Sequence, residues 1–358
     1  MISIVLGTRP EIIKMAPLIR SCRKNGMEYS VLHTGQHYSY DMDRIFFEEL
    51  DLPLPEYNLD VGSGSHAEQT GRIMAGIERI YLETRPDIVL VLGDTNTVLA
   101  GALTAAKLHI PVGHVEAGLR SFDRRMPEEI NRIVTDHISD YLFAPTDLSK
   151  QHLLNEGINE NEIYVTGNTV VDAVFQNREI AKKKTSILRD TGLTPGNYLL
   201  VTAHRAENVD AKPCLKGIIN GLLSLMETHH IPVIFPMHPR TQKMMMEFGI
   251  DPCGITLIQP TGYMDFLELE VHARLILTDS GGVQEEACIL NVPCVTLREN
   301  TERPETIDAG ANMLAGTDPK RIVLAAETMM DTSRKWDNPY GDGTAADKII
   351  ASLPCRIP

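Results

Sequence analysis

The sequence alternates regularly between short runs rich in Val, Ile and Leu and longer segments with helical periodicity, and this alternation restricts the fold most strongly. The short runs are apolar throughout, which is typical of parallel strands that helices cover on both faces. Between the first two runs, Ile12, Met15, Leu18 and Ile19 recur near the helical period of about 3.6 residues. The pattern predicts an α/β fold with parallel sheets.

The same alternation occurs in both halves of the chain, so we predict two similar α/β domains. The predicted strands are Ile2–Gly7, Tyr29–Thr34, Asp87–Gly93, Val112–Val115, Tyr141–Ala144, Ile163–Thr166, Tyr198–Thr202, Val233–Pro236, Thr256–Gln259, Leu275–Thr278 and Cys294–Leu297. The predicted helices are Glu11–Lys24, His66–Glu83, Thr97–Leu108, Glu128–Ile138, Leu148–Glu156, Cys214–Glu227, Asp265–His272, Val283–Ile289 and Lys320–Met330. A chain of 358 residues is longer than one hydrophobic core usually serves, and we expect the boundary near residues 167–184.

Acidic residues outnumber basic ones, with 48 Asp and Glu against 34 Lys and Arg and a formal net charge of -14. This balance argues against nucleic acid and anionic membranes as partners. The chain starts with a strand-like run and has no apolar segment of membrane-spanning length, so we expect a cytoplasmic location. The His and six Cys residues do not cluster at metal-ligand spacings, so we expect no metal site and interpret the cysteines as buried or incidental thiols.

The first group of candidate site residues follows the first predicted strand, in the segment Gly7–Lys14. The turn between the first strand and the first helix is a usual phosphate position in such folds. Arg9 and Lys14 place two cations there, and we interpret them as ligand contacts; the alternative is that they are ordinary surface charges. The segment is neither a G-x-G-x-x-G nor a Walker A loop, and no glycine fingerprint predicts a nicotinamide site.

The second group is acidic. Asp94 and Glu116 follow two apolar strands directly, and Glu128 opens a helix after Pro127. Carboxylates that converge on one edge of a sheet suit proton transfer, because neighbouring like charges separate their pKa values. The alternatives are a loop hydrogen bond for Asp94 and Glu116 and a favourable interaction with the helix dipole for Glu128.

The third group lies in the second half. His204 follows the first strand of that half, where such folds place ligands, although a lone histidine is more often structural. Ser280 is predicted to cap the next helix, and Gly281 and Gly282 would let a phosphate approach backbone N–H groups. Glu286 lies further along that helix, within reach of ribose hydroxyls. Downstream, Arg303 in a mixed-charge loop is a candidate phosphate or hydroxyl contact.

Several segments carry a resemblance to a known family. In order along the chain they are GTRPEIIKMAPL, TGQH, GDTNT, PVGHVEAGLRS, PEEINR, VTGNTVVDA, TAHRAEN, LTDSGGVQEEA, TERPE and NPYGDG. With these segments, which cover nearly the whole length, the chain resembles the non-hydrolysing UDP-N-acetylglucosamine 2-epimerases. The resemblance implies a GT-B arrangement of two Rossmann-like domains with the active site in the cleft, no cofactor, and a homodimer. It also implies reversible conversion of UDP-GlcNAc to UDP-ManNAc.

The resemblance also assigns domain limits and residue roles. It implies an N-terminal domain over residues 1–168, onto which a C-terminal helix at about 341–358 packs, and a UDP-binding domain over 169–340. The implied catalytic residues are Asp94, Glu116, Glu128 and His204. The implied substrate contacts are Arg9, Lys14, Asp94, Glu116, His204, Thr261, Phe266, Ser280, Gly281, Gly282, Glu286 and Arg303, with Thr261 and Phe266 near uracil.

Two chemical routes could invert C2 of the sugar: transient oxidation by nicotinamide, or loss of UDP from C1 coupled to proton removal at C2. Because no nicotinamide motif is present, we favour elimination to 2-acetamidoglucal followed by re-addition of UDP. Bacterial members of the family carry a regulatory UDP-GlcNAc site, and Gln36, His37 and Arg72 match part of it. The residues after His37 differ from that pattern, which argues against activation by the substrate.

Four other functions fit the same motifs. They are 2-epimerisation of a modified UDP-amino sugar such as a diacetamido uronate, a hydrolysing 2-epimerase that releases free ManNAc, a GT-B glycosyltransferase, and a nucleotide-sugar sensor without catalysis. A glycosyltransferase would need an acceptor groove, and a sensor would not need Asp94 or Glu116.

Overall fold

The structure of the protein is a computed structural model that describes residues 1–35 and 40–353. The chain forms two compact units: unit 1 comprises Met1–Gln176 and Tyr340–Pro358, and unit 2 comprises Asn177–Pro339. The domain limits implied by the family resemblance stay a prediction. No helix of the described residues is long and apolar enough to cross a membrane.

Unit 1 contains one parallel sheet. Its strands are β1 (Ile2–Leu6), β2 (Tyr29–His33), β3 (Tyr57–Asn58), β4 (Ile88–Leu92), β5 (Val112–Val115), β6 (Tyr141–Ala144) and β7 (Ile163–Val165). They are arranged in the order β3-β2-β1-β4-β5-β6-β7. Strands β2 and β3 lie on one side of β1, and strands β4 to β7 lie on its other side, so the strand order reverses between β1 and β4. In such sheets the ligand crevice lies outside the carboxyl ends of the strands at this reversal, here β1 and β4.

Helices cover both faces of this sheet. They are α1 (Arg9–Lys24), α2 (Tyr40–Glu49), α3 (His66–Thr84), α4 (Asn96–Lys107), α5 (Pro127–Ile138), α6 (Asp147–Asn155) and α7 (Thr169–Lys184), with a 3-10 turn at Glu160–Glu162. The four apolar residues that predicted α1 are all fully buried. Val5 and Val91 of the sheet pack with Ile73 and Ile77 of α3 in one hydrophobic core. Burial of each such side chain stabilises the folded state by about 1.5–3 kcal/mol.

Unit 2 repeats the design with six strands. They are β8 (Leu199–Thr202), β9 (Val233–Pro236), β10 (Thr256–Ile258), β11 (Leu275–Thr278), β12 (Cys294–Thr296) and β13 (Asn312–Leu314), in the order β10-β9-β8-β11-β12-β13. Its helices are α8 (Ile187–Asp190), α9 (Ala206–Val209), α10 (Lys212–His229), α11 (Pro239–Phe248), α12 (Tyr263–His272), α13 (Gly281–Ile289), α14 (Pro304–Asp308) and α15 (Pro319–Met330). The reversal of strand order now lies between β8 and β11.

The last described helix, α16 (Ala345–Ser352), packs on α1 in unit 1. Ser21 of α1 donates a hydrogen bond to Asp347 at 2.6 Å. Asp172 of α7 accepts the backbone N–H groups of Ala345 and Ala346 at 3.2 and 2.9 Å. Two side chains from different helices therefore hold the first turn of α16, and Asp172 takes the place of an N-cap residue.

The predicted α/β fold with parallel sheets is confirmed, and each predicted strand and helix exists with ends shifted by at most a few residues. The sequence reasoning missed the short strands β3 and β13, and it missed the helices α2, α7, α8, α9, α11 and α14. α16 lies within the stretch 341–358, to which the family resemblance assigned a helix. β3 and β13 have two and three residues, which is too short for a periodic pattern.

Candidate functional site

A buried carboxylate, Glu11, joins the turns that follow β1 and β4. Its Oε2 accepts the backbone N–H groups of Gly7 at 2.6 Å and Thr8 at 3.1 Å, and its Oε1 accepts the Thr95 hydroxyl at 2.6 Å. Burial raises the pKa of Glu11 to about 7, and the charge of Asp94 acts in the same direction. Glu11 therefore fixes the loop before α1 against the loop that carries Asp94.

The two predicted cations of the first turn have different surroundings. Arg9 is the first residue of α1, and its guanidinium lies 4.7 Å from the centroid of the Phe46 ring. Lys14 Nζ lies 2.5 Å from Glu116 Oε1, and both side chains are largely buried. A cation–π contact localises the first charge and an ion pair localises the second.

Asp94 follows β4 and is held by Arg132 of α5. Its Oδ2 accepts Arg132 Nε at 3.0 Å and Nη2 at 2.6 Å, while Nη1 donates to Glu129 at 2.6 Å. Burial acts to raise the pKa of Glu129, but hydrogen bonds from Arg132 and from two backbone N–H groups of the preceding loop outweigh it and lower the pKa. Arg132 thus ties the loop of Asp94 to the helix that carries Glu128.

Glu116 has a left-handed backbone conformation directly after β5. Its φ is 68°, and such a conformation costs about 1–3 kcal/mol for a residue with a side chain. The turn is held on both sides, because Ala117 N donates to Phe143 O at 3.2 Å and Gly118 N donates to Asp136 at 3.2 Å. Strained backbone fixed by several hydrogen bonds is common at ligand and catalytic sites.

Asp94 and Glu128 line the same cavity in unit 1, which has a volume of about 290 Å³. Glu128 is the second residue of α5 and is half-buried. Among the described residues it makes no hydrogen bond or ion pair. The remaining lining residues are Ser63, Gly64, His66, Gln69, Thr95, Asn96, Pro127 and Asn131.

Sequence reasoning missed four polar residues of this cavity: His66, Gln69, Asn96 and Asn131. Asn96 Nδ2 donates to Gln69 Oε1 at 2.8 Å, and Asn131 Nδ2 donates to the backbone oxygen of Asp94 at 2.8 Å. Asn131 belongs to the segment PEEINR, where helical spacing from the glutamates could have identified it. His66 and Gln69 lie on α3, far along the chain, and no local pattern points to them.

Of the three residues predicted for a regulatory site, the structure describes one, Arg72. Gln36 and His37 lie outside the described residues. Arg72 lies on α3, where its Nη2 donates to Ser63 O at 3.4 Å and lies 3.8 Å from Glu68. Ser63 lines the cavity of unit 1, so Arg72 contacts the rim of that cavity through the Ser63 backbone.

In unit 2, Asp279 organises the turn after β8. Its buried carboxylate accepts the backbone N–H groups of His204 and Arg205, each at 2.9 Å, and Asn208 Nδ2 at 3.0 Å. β8 and β11 are neighbours, so a carboxylate at the end of β11 reaches the turn after β8. Asp279 belongs to the segment LTDSGGVQEEA. Its structural role depends on this strand pairing, so the local sequence could not predict it.

His204 lies beside a second histidine, His238. Their ring centroids are 5.5 Å apart, and His204 Nδ1 lies 3.3 Å from Asp279 Oδ1. Burial, followed by the charges of His204 and Arg240, lowers the pKa of His238. Both histidines line a cavity of about 190 Å³, together with Thr202, Ala203, Pro236, Pro260, Thr261, Phe266, Ser280 and Val283.

The segment Ser280–Gly282 opens α13, but the predicted capping by the Ser280 side chain is wrong. Its hydroxyl makes no capping hydrogen bond, because the side chain lines the adjacent cavity instead. The Ser280 backbone N–H donates to Thr278 Oγ1 at 3.0 Å. A Cβ at Gly281 or Gly282 would meet atoms of unit 2 no closer than 3.9 Å. Packing within unit 2 therefore does not require these glycines, and they leave the helix N-terminus open to an anion.

Glu286 of α13 is half-buried and faces two groups of α12. Burial, followed by the charge of Glu286, raises the pKa of Glu270 well above its ordinary value. The same two causes raise the pKa of Tyr263. Burial beside Glu286 therefore disfavours the ionised form of Glu270.

Arg303 and its neighbours form a network of ion pairs. Arg303 Nε lies 2.6 Å from Glu285 Oε1, and the Glu285 side chain is buried. Arg298 is also buried, and it pairs with Glu302 at 2.7 Å and Glu207 at 3.0 Å. Arg303 is the more exposed of the two arginines, with 26% of its side chain accessible against 7%.

Comparison with known proteins identifies the family. The family model for UDP-N-acetylglucosamine 2-epimerase matches residues 20–354. The UDP-N-acetylglucosamine 2-epimerase of Methanocaldococcus jannaschii is 55% identical over 359 residues, and the match covers 98% of each chain. The chain belongs to the UDP-N-acetylglucosamine 2-epimerase family.

Solved structures of this epimerase family match in fold as well as in sequence. The crystal structure of the M. jannaschii UDP-GlcNAc 2-epimerase in complex with UDP-GlcNAc and UDP has a TM-score of 0.85 and 55% identity, with 98% of both chains covered. The prediction of a GT-B fold with two Rossmann-like units is thereby confirmed. A further relative, the Pseudomonas aeruginosa UDP-2,3-diacetamido-2,3-dideoxy-D-glucuronate 2-epimerase, is 40% identical over 353 residues and is also covered to 98% on both sides.

Proposed function

We propose that this chain catalyses the reversible C2 epimerisation of UDP-GlcNAc to UDP-ManNAc, by anti elimination of UDP and its re-addition. The observation that carries the proposal is the set of three carboxylates of unit 1, Asp94 and Glu116 after strands and Glu128 in the first turn of α5, within a chain that is 55% identical to a UDP-N-acetylglucosamine 2-epimerase. Asp94 and Glu128 line one cavity, and Glu116 Oε2 lies 3.7 Å from the position a Cβ on Gly93 would occupy.

The proposed steps are balanced without a redox cofactor. A carboxylate removes the C2 proton, the C2–H electron pair forms the C1=C2 bond, and the C1–O bond breaks so that its electron pair leaves with the UDP phosphate. The product is 2-acetamidoglucal. In the return step a carboxyl group delivers a proton to the opposite face of C2, and the phosphate oxygen attacks C1. Electrons that leave C1 with UDP return with UDP.

The three carboxylates differ in a way that suits an acid and a base on opposite faces. Asp94 is paired with Arg132 and Glu116 with Lys14, so protonating either one would disrupt an ion pair. Glu128 makes no ion pair among the described residues, so a proton transfer to or from it breaks no such pair. We propose that Glu128 is one proton carrier and that either Asp94 or Glu116 is the other.

The proposal assigns recognition of UDP to unit 2. The open N-terminus of α13 at Ser280, Gly281 and Gly282 supplies backbone N–H groups and a favourable dipole for a phosphate. His204 is the nearby imidazole of the same cavity, and Thr261 and Phe266 supply a polar and an aromatic wall for uracil. Outside this cavity, Glu286 is proposed to accept the ribose hydroxyls, and Arg9, Lys14 and Arg303 to stabilise charge on the leaving UDP.

The charge of the unit 1 cavity favours a neutral sugar over a uronate. Its lining includes two carboxylates, Asp94 and Glu128, and no Lys or Arg among the described residues. A substrate with a C6 carboxylate would meet repulsion there without a cation to offset it. The 40% identity to the P. aeruginosa enzyme keeps a modified UDP-amino sugar as the second candidate.

The test is incubation of the purified protein with UDP-GlcNAc in D₂O, with no other additive, followed by NMR. The expected result is deuterium at C2 and the appearance of UDP-ManNAc. Free ManNAc would indicate a hydrolysing enzyme, and no exchange at C2 would contradict both. Parallel incubation with the diacetamido uronate substrate ranks the second candidate by its kcat/KM, and sugar transfer to an added acceptor would indicate a glycosyltransferase.

Two expectations from the sequence stay proposals. The first is a homodimer, which light scattering on the purified chain checks through the molar mass in solution. The second is a cytoplasmic location, which fractionation of the source cells checks.

A further inference from the structure

A buried cluster of charged side chains lies beside the strand ends that carry the carboxylates of unit 1. It consists of His114 on β5, Asp136 on α5, Arg120 in the loop between them, and Glu156 after α6. His114 and Asp136 have no exposed side-chain surface, and Arg120 has 1%. Burying charges is costly unless each is paired, so this cluster requires an explanation.

His114 connects two neighbouring segments through its two ring nitrogens. Nδ1 lies 2.6 Å from Asp136 Oδ1, and Nε2 lies 2.8 Å from the backbone oxygen of Gly93. On its other oxygen, Asp136 accepts Gly118 N at 3.2 Å and lies 2.7 Å from Arg120 Nη1. One imidazole and one carboxylate therefore contact the ends of β4 and β5 and the last turn of α5.

The hydrogen-bonding capacity of these groups determines where the protons are. A carbonyl oxygen only accepts, so Nε2 of His114 must donate to Gly93. Burial acts to raise the pKa of Asp136, but the charges and hydrogen bonds of His114 and Arg120 hold it below its ordinary value. Nδ1 and Asp136 Oδ1 share a proton across their 2.6 Å contact, so both ring nitrogens of His114 are engaged in hydrogen bonds.

The other side chains of the cluster are paired as well. Arg120 forms a bidentate pair with Glu156, through Nε and Nη2, both at 2.7 Å. Glu156 is 27% exposed and also lies 4.0 Å from His137 Nδ1. Each buried group of the cluster thus has a partner, which offsets the cost of its burial.

The segments that meet at this cluster are those that carry the carboxylates. Gly93 directly precedes Asp94, and Gly118 follows Glu116 by two residues in the strained turn. Asp136 lies at the end of α5, whose first turn holds Glu128.

We propose that His114 is a positioning residue for the epimerisation: through its hydrogen bonds to Asp136 and to the Gly93 carbonyl, it holds the three carboxylate-bearing segments in one arrangement. The inference rests on the proposed function and deepens it. His114 does not line the cavity of unit 1, so its effect acts through the placement of Asp94 and Glu116. Displacements of about 1 Å at catalytic groups cost on the order of a hundredfold in rate.

Two conservative variants separate the two hydrogen bonds. His114→Gln retains a donor near Nε2, toward Gly93, and His114→Asn retains one near Nδ1, toward Asp136. We expect both to lower kcat for C2 epimerisation at least about tenfold while KM for UDP-GlcNAc stays within about twofold. The matched control is His109→Asn, an exposed histidine in the turn before β5, which should keep wild-type kcat. Wild-type kcat in both His114 variants, with only a lower Tm, would overturn the proposal.

A spectroscopic measurement on the wild-type protein covers the case in which the variants do not fold. NMR of protein labelled with ¹⁵N-histidine should show one buried imidazole whose Nε2 proton exchanges slowly with solvent, as expected for its hydrogen bond to the Gly93 carbonyl. An unprotonated Nε2 on that ring would overturn the proposal. If instead the wild-type protein gives no C2 exchange with UDP-GlcNAc, the proposed function fails, and the NMR result still decides the hydrogen bond to Gly93 separately.

Discussion

The candidate sites of the two units consist of different chemical groups. In unit 1, charged side chains hold one another: Arg132 binds Asp94, and Lys14 binds Glu116, whose backbone is strained. In unit 2, the corresponding strand ends present an open helix N-terminus at Gly281 and Gly282. Fixed charges are required where protons move, and accessible backbone N–H groups are sufficient where an anion binds. The comparison therefore assigns the chemistry to unit 1 and UDP binding to unit 2.

The largest effect should come from the carboxylates of unit 1. Asp94→Asn and Glu116→Gln remove a charge and a proton acceptor without changing volume, and we expect each to lower C2 deuterium exchange by at least about a hundredfold. UDP affinity, measured by calorimetry, should stay within a few-fold of wild type because most of its proposed contacts lie in unit 2. Wild-type exchange in both variants would remove these residues from the mechanism.

A smaller effect should come from the cation that holds Asp94. Arg132→Gln breaks its contacts with Asp94 and Glu129, so we expect kcat to fall about ten- to a hundredfold. Arg125→Gln is the matched control, since Arg125 pairs with Asp123 at the surface with 90% of its side chain exposed. Equal kcat values for the two variants would contradict the role of Arg132.

In unit 2, the comparison predicts that a substitution lowers UDP affinity. Gly282→Ala adds a methyl group that unit 2 accommodates at ordinary van der Waals distance, so folding should be unaffected while the methyl obstructs the phosphate. We expect UDP affinity to fall about tenfold, or about 1.4 kcal/mol. Gly71→Ala, which faces open space in α3, is the control and should leave UDP affinity unchanged. Unchanged affinity in Gly282→Ala would show that phosphate binds elsewhere.

The smallest effect concerns stability. Burial raises the pKa of Glu11 from 4.5 to about 7, so the folded state holds this proton more tightly than the unfolded state. The contribution of Glu11 is therefore most favourable below pH 4.5 and is lost as pH rises through 7, by up to about 3 kcal/mol. Glu11→Gln should remove this dependence in urea unfolding between pH 5.5 and 8. Exposed Glu83→Gln is the control, and the same pH dependence in both variants would contradict the assignment.

The parts of the site that follow strands directly could be predicted from the sequence. Asp94, Glu116 and His204 each come after an apolar run, and the strand order brings their turns to the crevice edge of a sheet. The prediction depended only on local pattern and on the general behaviour of parallel sheets.

The partners of those residues could not be predicted, because they come from distant parts of the chain. Lys14 was predicted as a ligand contact, and its ion pair with Glu116 spans 102 residues. Arg132 and Asp136 lie on α5, and the sequence does not show which strand end each one faces. The capping prediction for Ser280 failed for a related reason: the cavity beside α13 depends on β8 and β9, which pattern alone does not position.

The central claim is that proton loss at C2 and cleavage of the C1–O bond belong to one elimination. UDP-GlcNAc with ¹⁸O in the bridge between C1 and the phosphate tests it most directly. If UDP leaves and returns, the label should move into the non-bridging phosphate oxygens while C2 epimerises, and ³¹P NMR detects that movement. Epimerisation with the label retained in the bridge would contradict the account.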